Sequence, residues 1–228
     1  MIIPVGMFSS PAGGGGGGGG AGIALVNQTV ARTASGGTPK TITIPAPTNG
    51  NALRLLFHSI NNATITSVSS TGATWTKFAG ISNTTPARIE LWGADNVTSA
   101  GTTVNLVISN VYAVCDVNIT EWSGMPATGV PDGGSTNSGT GASVSTPSVT
   151  PAAGNPVLLM AATTVYTNTI TAGPTGGFSA LTKPSGAHAG LAWAYQLVTS
   201  ASGSYSCGWT ANAGYARYAT IVQAWDGT

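Results

Sequence analysis

The sequence predicts an all-β chain folded as an antiparallel two-layer sandwich, and three observations carry that prediction. From residue 23 onward, short β-branched and apolar runs are divided by Gly, Pro, Asn and Ser, the pattern of strands separated by tight turns. No window keeps an apolar period of 3.6 residues over three turns, so nothing argues for an amphipathic helix. Charged residues make up only 6% of 228, against roughly a quarter in an average soluble domain. The polar strand faces must therefore be built from Thr, Ser and Asn.

The chain opens on an apolar leader, 1–12, in which Ile2, Ile3, Val5, Met7 and Phe8 are the anchoring side chains, followed by eight glycines, 13–20. Glycine loses the most backbone freedom on ordering and has no side chain to bury, so the run of which Gly13, Gly16 and Gly20 mark the start, middle and end cannot form a core. In an extended polyproline-II-like form at about 3.1 Å per residue it would span roughly 25 Å. Residues 1–22 thus read as an attachment arm. Candidate strands follow at 23–32, 40–44, 52–60, 64–70, 88–93, 102–109, 113–122, 143–149, 156–164, 190–198, 204–210 and 217–225. Leu53, Leu55 and Phe57 fall on one face of their strand while Leu56 and Ile60 fall on the other, and 157–161 is apolar throughout; such strands are buried on both sides.

The chain also repeats itself at a spacing of 101 to 104 residues. Asn49-Gly50-Asn51-Ala52-Leu53 recurs as Ala153-Gly154-Asn155-Pro156-Val157, Val97-Thr98-Ser99-Ala100 as Val198-Thr199-Ser200-Ala201, and Glu121-Trp122-Ser123-Gly124 as Ala224-Trp225-Asp226-Gly227. Two halves, about 49–124 and 153–227, are joined by a Gly/Ser/Thr/Pro-rich segment, 125–153. With only five or six strands each, they are expected to be two halves of one sandwich, 23–228, rather than two domains. Trp122 and Trp225, repeated at strand ends, are expected to close the sandwich. Which face Trp92 and Trp193 occupy stays open, because a one-residue slip in aligning them reverses it.

Composition excludes several functions. The seven basic residues, Arg32, Lys40, Arg54, Lys77, Arg88, Lys183 and Arg217, are scattered, so no nucleic-acid footprint exists. No stretch approaches the roughly 18 apolar residues of a membrane helix, and residues 1–14 lack the basic and apolar regions of a secretory signal. The expectation is synthesis in the cytoplasm without a signal peptide. Among the six acids, Glu90, Asp95, Asp116, Glu121, Asp132 and Asp226, no two lie close enough in one strand to make the carboxylate pair of a glycosidase. His58 and His188 stand isolated, and no zinc-protease, nucleophile-elbow or phosphate-loop motif occurs. The chain is expected not to be an enzyme and to need no cofactor. Asp132-Gly133-Gly134 with Asn137 nearby is the one calcium candidate, and a lone carboxylate in a turn falls well short of six to eight oxygen ligands. Cys115 and Cys207 alternate with apolar neighbours and read as buried thiols, a disulfide between them being the other reading. Trp75, Trp209, Tyr215 and Tyr218 have no repeat partner; they read as core or interface aromatics or, alternatively, as a platform that stacks on a sugar ring.

The order of segments completes the reading. A Gly-Asn turn and apolar strand at 50–57 lead to Trp75, Ile-Glu-Leu-Trp at 89–92, Thr-Thr-Val-Asn-Leu at 102–106 and Glu-Trp-Ser-Gly at 121–124. A second Gly-Asn strand at 154–160 is followed by Gly-Ser-Tyr-Ser-Cys-Gly-Trp at 203–209 and a closing apolar strand. Over 23–228 this resembles the jelly-roll, lectin-like β-sandwich modules of tailed-phage virion proteins and of some bacterial surface proteins. The leader is similar to the attachment segments of phage tail and head fibres. The resemblance implies a structural protein of a phage virion, displayed on the capsid or tail surface as a decoration protein or fibre and anchored by its arm. Its partners would be other virion proteins and copies of itself. The alternative is a carbohydrate-binding or adhesive module recognising a cell-surface glycan.

Overall fold

The computed structural model describes residues 22–34, 36–82, 87–129, 131–166, 168–212 and 216–227, all of them strand, turn or coil, with no helix among them. The attachment arm therefore lies outside the described residues but for Gly22, and so does Tyr215. Among the described residues sixteen strands run in two sets of eight. The first set is β1 (Ala24–Thr33), β2 (Lys40–Thr43), β3 (Ala52–Ser59), β4 (Ile65–Ser69), β5 (Thr76–Ser82), β6 (Arg88–Ala94), β7 (Thr103–Ile108) and β8 (Cys115–Ser123). The second is β9 (Pro131–Thr140), β10 (Ser143–Ser145), β11 (Val157–Tyr166), β12 (Ile170–Ala172), β13 (Ser179–Ala180), β14 (Leu191–Val198), β15 (Gly208–Ala211) and β16 (Arg217–Asp226).

The two sets have the same topology. In the first, a five-stranded sheet β1-β8-β3-β6-β5 faces a three-stranded sheet β2-β7-β4; in the second, β9-β16-β11-β14-β13 faces β10-β15-β12. Adding eight to each strand of the first set yields the second. All pairings are antiparallel and the outer ones nest, first with eighth, second with seventh and third with sixth.

Register extends the duplication to single residues. Trp122 pairs with Ala52 and Trp225 with Leu158, so Ala52 corresponds to Leu158 and Arg54 to Met160. The turns before β3 and β11 also match: Gly50 and Gly154 both take positive φ, +86° and +92°, and donate to Val97 O and Ala201 O. That backbone conformation favours glycine at both places. At this end the ladder of β11 and β14 runs two residue pairs further than that of β3 and β6. Val97 accordingly matches Ala201, not Val198 as the sequence repeat suggests.

Three cores follow. Leu53, Leu55, Phe57, Val104 and Leu106 fill the space between the sheets of the first set, and Val144, Leu159, Ala161, Trp209 and Val222 do so in the second. The third core lies between the two five-stranded sheets and holds Leu56, Leu91, Trp122, Leu158, Met160, Trp193, Ile221 and Trp225. The chain is therefore four layers, three, five, five and three strands deep, rather than the single two-layer sandwich expected. The reason is the doubly apolar strands: β3, β6, β8, β11 and β16 are buried on both faces because each five-stranded sheet is covered on both sides. Trp122 and Trp225 do not close sandwich ends; both are fully buried in the shared middle core. Trp92 turns toward the first outer core and Trp193 toward the middle one, since Leu91, not Trp92, matches Trp193.

Four strands, β5, β9, β12 and β13, do not stand out in the sequence. The clearest case is β9, PDGGSTNSGT, which reads as linker and forms an edge strand because its backbone pairs with β16 along nearly its whole length. Its glycines have a use there: a Cβ on Gly134 would clash with the Gln223 side chain and one on Gly139 would lie 2.8 Å from the Tyr218 hydroxyl oxygen. Cys115 and Cys207 are free, one in each outer core, and burial pushes their thiols up to about 11 and about 12.

Candidate functional site at the rim between the two sandwiches

Most acids of the chain serve the scaffold. Glu90, fully buried, accepts from Arg88 Nε (2.6 Å), Trp92 Nε1 (2.9 Å) and Ile65 N (3.3 Å) and pairs with Lys77 Nζ (2.9 Å). Glu121 accepts from Asn27 Nδ2, Thr48 N and Asn51 Nδ2 at 2.6 to 2.8 Å, tying β1 and the turn before β3 to β8. Asp95 holds Arg54 at 2.6 Å. Asp132 lies in β9, where it accepts from Ala152 N and contacts Asp226. Burial first, then that contact, raises the Asp226 carboxyl above its ordinary range. Carboxylates in direct contact leave no room for the glycosidic bond that an acid and base about 5 Å or more apart would flank. No group of three or more His, Cys, Asp or Glu side chains among the described residues is placed to hold a metal.

Histidines isolated in the sequence meet across the two sandwiches. His58 on β3 and His188, just before β14, have ring centroids 5.5 Å apart. Between them stands Asp116 of β8: its carboxylate lies 3.2 Å from His58 Nδ1 and 3.2 Å from Arg32 of β1, and it accepts from the backbone N–H of His188 at 3.3 Å. Arg32 also donates to Gly186 O, and Gln28 and Asn118 both donate to Thr182 O. The loop 181–190 of the second half is thus strapped by polar bonds to β1 and β8 of the first. Burial, then the neighbouring His58, lowers the His188 pKa below the ordinary 6.5.

That shift has a consequence for stability. The fold favours neutral His188 while the unfolded chain protonates near 6.5, so the contribution is complete above 6.5 and is lost as pH falls through the lowered folded value. Relative to His188→Asn, the unmodified protein should lose melting temperature below about pH 6.5, as read by thermal unfolding at stepped pH. Parallel curves for the two proteins would show that His188 is not the group involved.

The same loop borders a cleft of about 190 Å³ in the second sandwich, lined by Ile170, Thr171, Gly173, Pro174, Leu181, Lys183, Trp193 and Trp209, among others. The cleft exists because the duplication is imperfect. In the first half, seven-residue β5 pairs with β6 from Arg88 to Gly93; in the second, β13 is two residues long and pairs only with Ala194 and Tyr195. Past that pair the edge of β14 is met by Leu181 N, which donates to Trp193 O at 2.9 Å, and not by a continuing strand. Gly173, at φ +107°, packs against Trp209 so closely that a Cβ would lie 2.8 Å from the indole Cδ1. Trp193 Nε1 and Trp209 Nε1 are buried without a hydrogen-bond partner. Lys183 gives one N–H to Leu191 O at 2.7 Å, and burial lowers its pKa.

Of the four aromatics singled out in the sequence, the three that are described, Trp75, Trp209 and Tyr218, do not form one exposed platform. Trp209 is buried, 3% exposed, in the second outer core. Trp75 is half-buried against the first, its Nε1 donating to Ser70 Oγ at 2.9 Å, and half-buried Tyr218 packs against the second. Sequence reasoning did not connect His58, Asp116 and His188, which are 58 to 130 positions apart; the pairing of β3 with β8 brings the first two together and the packing of one half on the other adds His188. No protein-family model matches the chain, and no curated protein matches it.

Proposed function

We propose that this chain is a structural protein of a phage virion, displayed on the capsid or tail surface as a decoration protein or fibre and held there by residues 1–22. The observation that carries the reading is the twice-repeated nested strand order. Pairing first with eighth, second with seventh and third with sixth is what results when one long hairpin is rolled into a sandwich, the order of a jelly roll. The departure is β5, with its counterpart β13, which joins β6 at the sheet edge instead of returning to β4. Two such rolls fused through an apolar middle layer make a rigid block with few charges. Engagement of the acids in scaffold bonds supports a role without catalysis.

The test is localisation on particles. Gold-labelled antibody against the full chain should decorate particles recovered from a lysate of the source. A variant lacking residues 1–22 should melt at the same temperature but be missing from those particles. Recovery of the full chain only outside particles would overturn the reading, and normal incorporation of the truncated chain would overturn the role of the arm.

A second reading, a carbohydrate-binding or adhesive module, is favoured by the cleft at Trp193 and Trp209. A surface fibre that recognises a host glycan would satisfy both.

A further inference from the structure

We propose that the loop 181–190 is an acid-released latch: protonation of His188 frees it from β1 and β8 and loosens the rim between the two sandwiches while both stay folded.

The closed loop requires a neutral imidazole at His188. Its Nδ1 lies 3.3 Å from the backbone nitrogen of Gly190 and accepts from that N–H, which assigns the ring proton to Nε2. A second ring proton would set one N–H against another and end the bond. Gly190 has no room to turn away, because its backbone is packed so tightly against Val165 O and Asn168 O that no Cβ would fit.

The charges around His188 act in the same direction. Facing it are His58 of β3, Asp116 of β8 and Arg32 of β1, with Lys183 from its own loop. Asp116 attracts a charged imidazole, but both of its oxygens are engaged, Oδ1 by Arg32 at 3.2 Å and Oδ2 by His58 Nδ1 at 3.2 Å and the His188 backbone N–H at 3.3 Å. A charged His188 therefore joins two cations and a second imidazole around one carboxylate that is already spent.

The loop can lift as a unit. Its ends are fixed in the second sandwich, where Leu181 N donates to Trp193 O at 2.9 Å and Val165 N to Gly190 O at 2.8 Å. The bonds that strap it to the first sandwich each run through a side chain of Gln28, Arg32, Asp116 or Asn118. Breaking them opens the rim without unpairing a strand. In the open loop His188 meets water and titrates at about 6.5. The closed form is thus complete above that pH and is lost as pH falls, with a limit of about thirtyfold in the open-to-closed ratio at pH 5.

The test is amide hydrogen exchange of the full chain by NMR at pH 7.5 and pH 5, corrected for the intrinsic exchange rate. Protection at His188 and Gly190 should fall at pH 5 by up to that thirtyfold, while Leu181, Val165 and the centres of β11 and β16 keep theirs. The midpoint of the loss should coincide with the titration of the His188 ring protons, followed in the same spectra. His188→Asn, which retains an acceptor but cannot take up a proton, should show the same loop protection at both pH values. Equal protection of the unmodified loop at both pH values would overturn the latch, as would a midpoint apart from that of the His188 ring or a loss that persists in His188→Asn. Loss of protection throughout β11 and β16 together with the loop would show acid unfolding of the whole molecule and would overturn it too.

Discussion

Asp95→Ala is expected to cost about 3–5 kcal/mol of stability, because it strands a charge. Arg54 is wholly buried at the middle core, its guanidinium 4.6 Å from the Trp225 ring centroid and 5.5 Å from that of Phe78. Its Nη2 donates to Asp95 Oδ1 at 2.6 Å and its Nη1 to Leu53 O at 3.0 Å, while Nε finds no partner. Burial lowers the pKa of the group, and the neighbouring Asp95 opposes that shift. Remove the carboxylate and the guanidinium remains out of water with no countercharge. The duplication supplies the control, since the residue matching Arg54 in the second half is Met160, buried in the same core. Arg54→Met should be close to neutral, and Arg54→Met with Asp95→Ala should recover most of what Asp95→Ala loses. Chemical denaturation of the three variants decides it. A double variant as unstable as Asp95→Ala alone would show that Asp95 matters for something other than Arg54.

Trp225→Ala should lose about 3–5 kcal/mol and should also separate the two sandwiches. The Trp225 ring is fully buried between the five-stranded sheets, edge-on to Phe78 of β5 at 5.2 Å and beneath Arg54. It therefore joins a strand of the second set to two strands of the first. Deleting it opens a cavity in the one layer both halves share and removes a cation–π contact worth about 0.5–2 kcal/mol. Calorimetry of the unmodified protein should show one transition, and that of Trp225→Ala two, as each half melts around its own outer core. A single transition at the original temperature would mean the middle layer does not couple the halves. Because Trp225 and Asp95 both act on Arg54, their effects should not add.

How much of this was legible can be judged from particular residues. The all-β class was, because alternation and turn residues are local signals; so was the repeat, through Gly50 and Gly154 and through Trp122 and Trp225. The strands that escaped notice, β5, β9, β12 and β13, lie at sheet edges, where pairing is made by backbone groups and leaves a weak side-chain pattern. The cleft was not legible at all. Trp209 stands out as an aromatic, but the opening beside it comes from the shortness of β13.

By itself the sequence determined that this chain forms strands, that its polar faces carry hydroxyls and amides, and that one half echoes the other; these follow from residue periodicity and composition within a few positions of chain. The tertiary structure decided that the halves are two sandwiches and not one, that Arg54 is buried against Trp225, and that His58, Asp116 and His188 meet. The physical reason is that a strand apolar on both faces states only that both faces are covered. Which surface covers each is a matter of long-range packing, and here one face of each five-stranded sheet is covered by its own three-stranded sheet and the other by its duplicate.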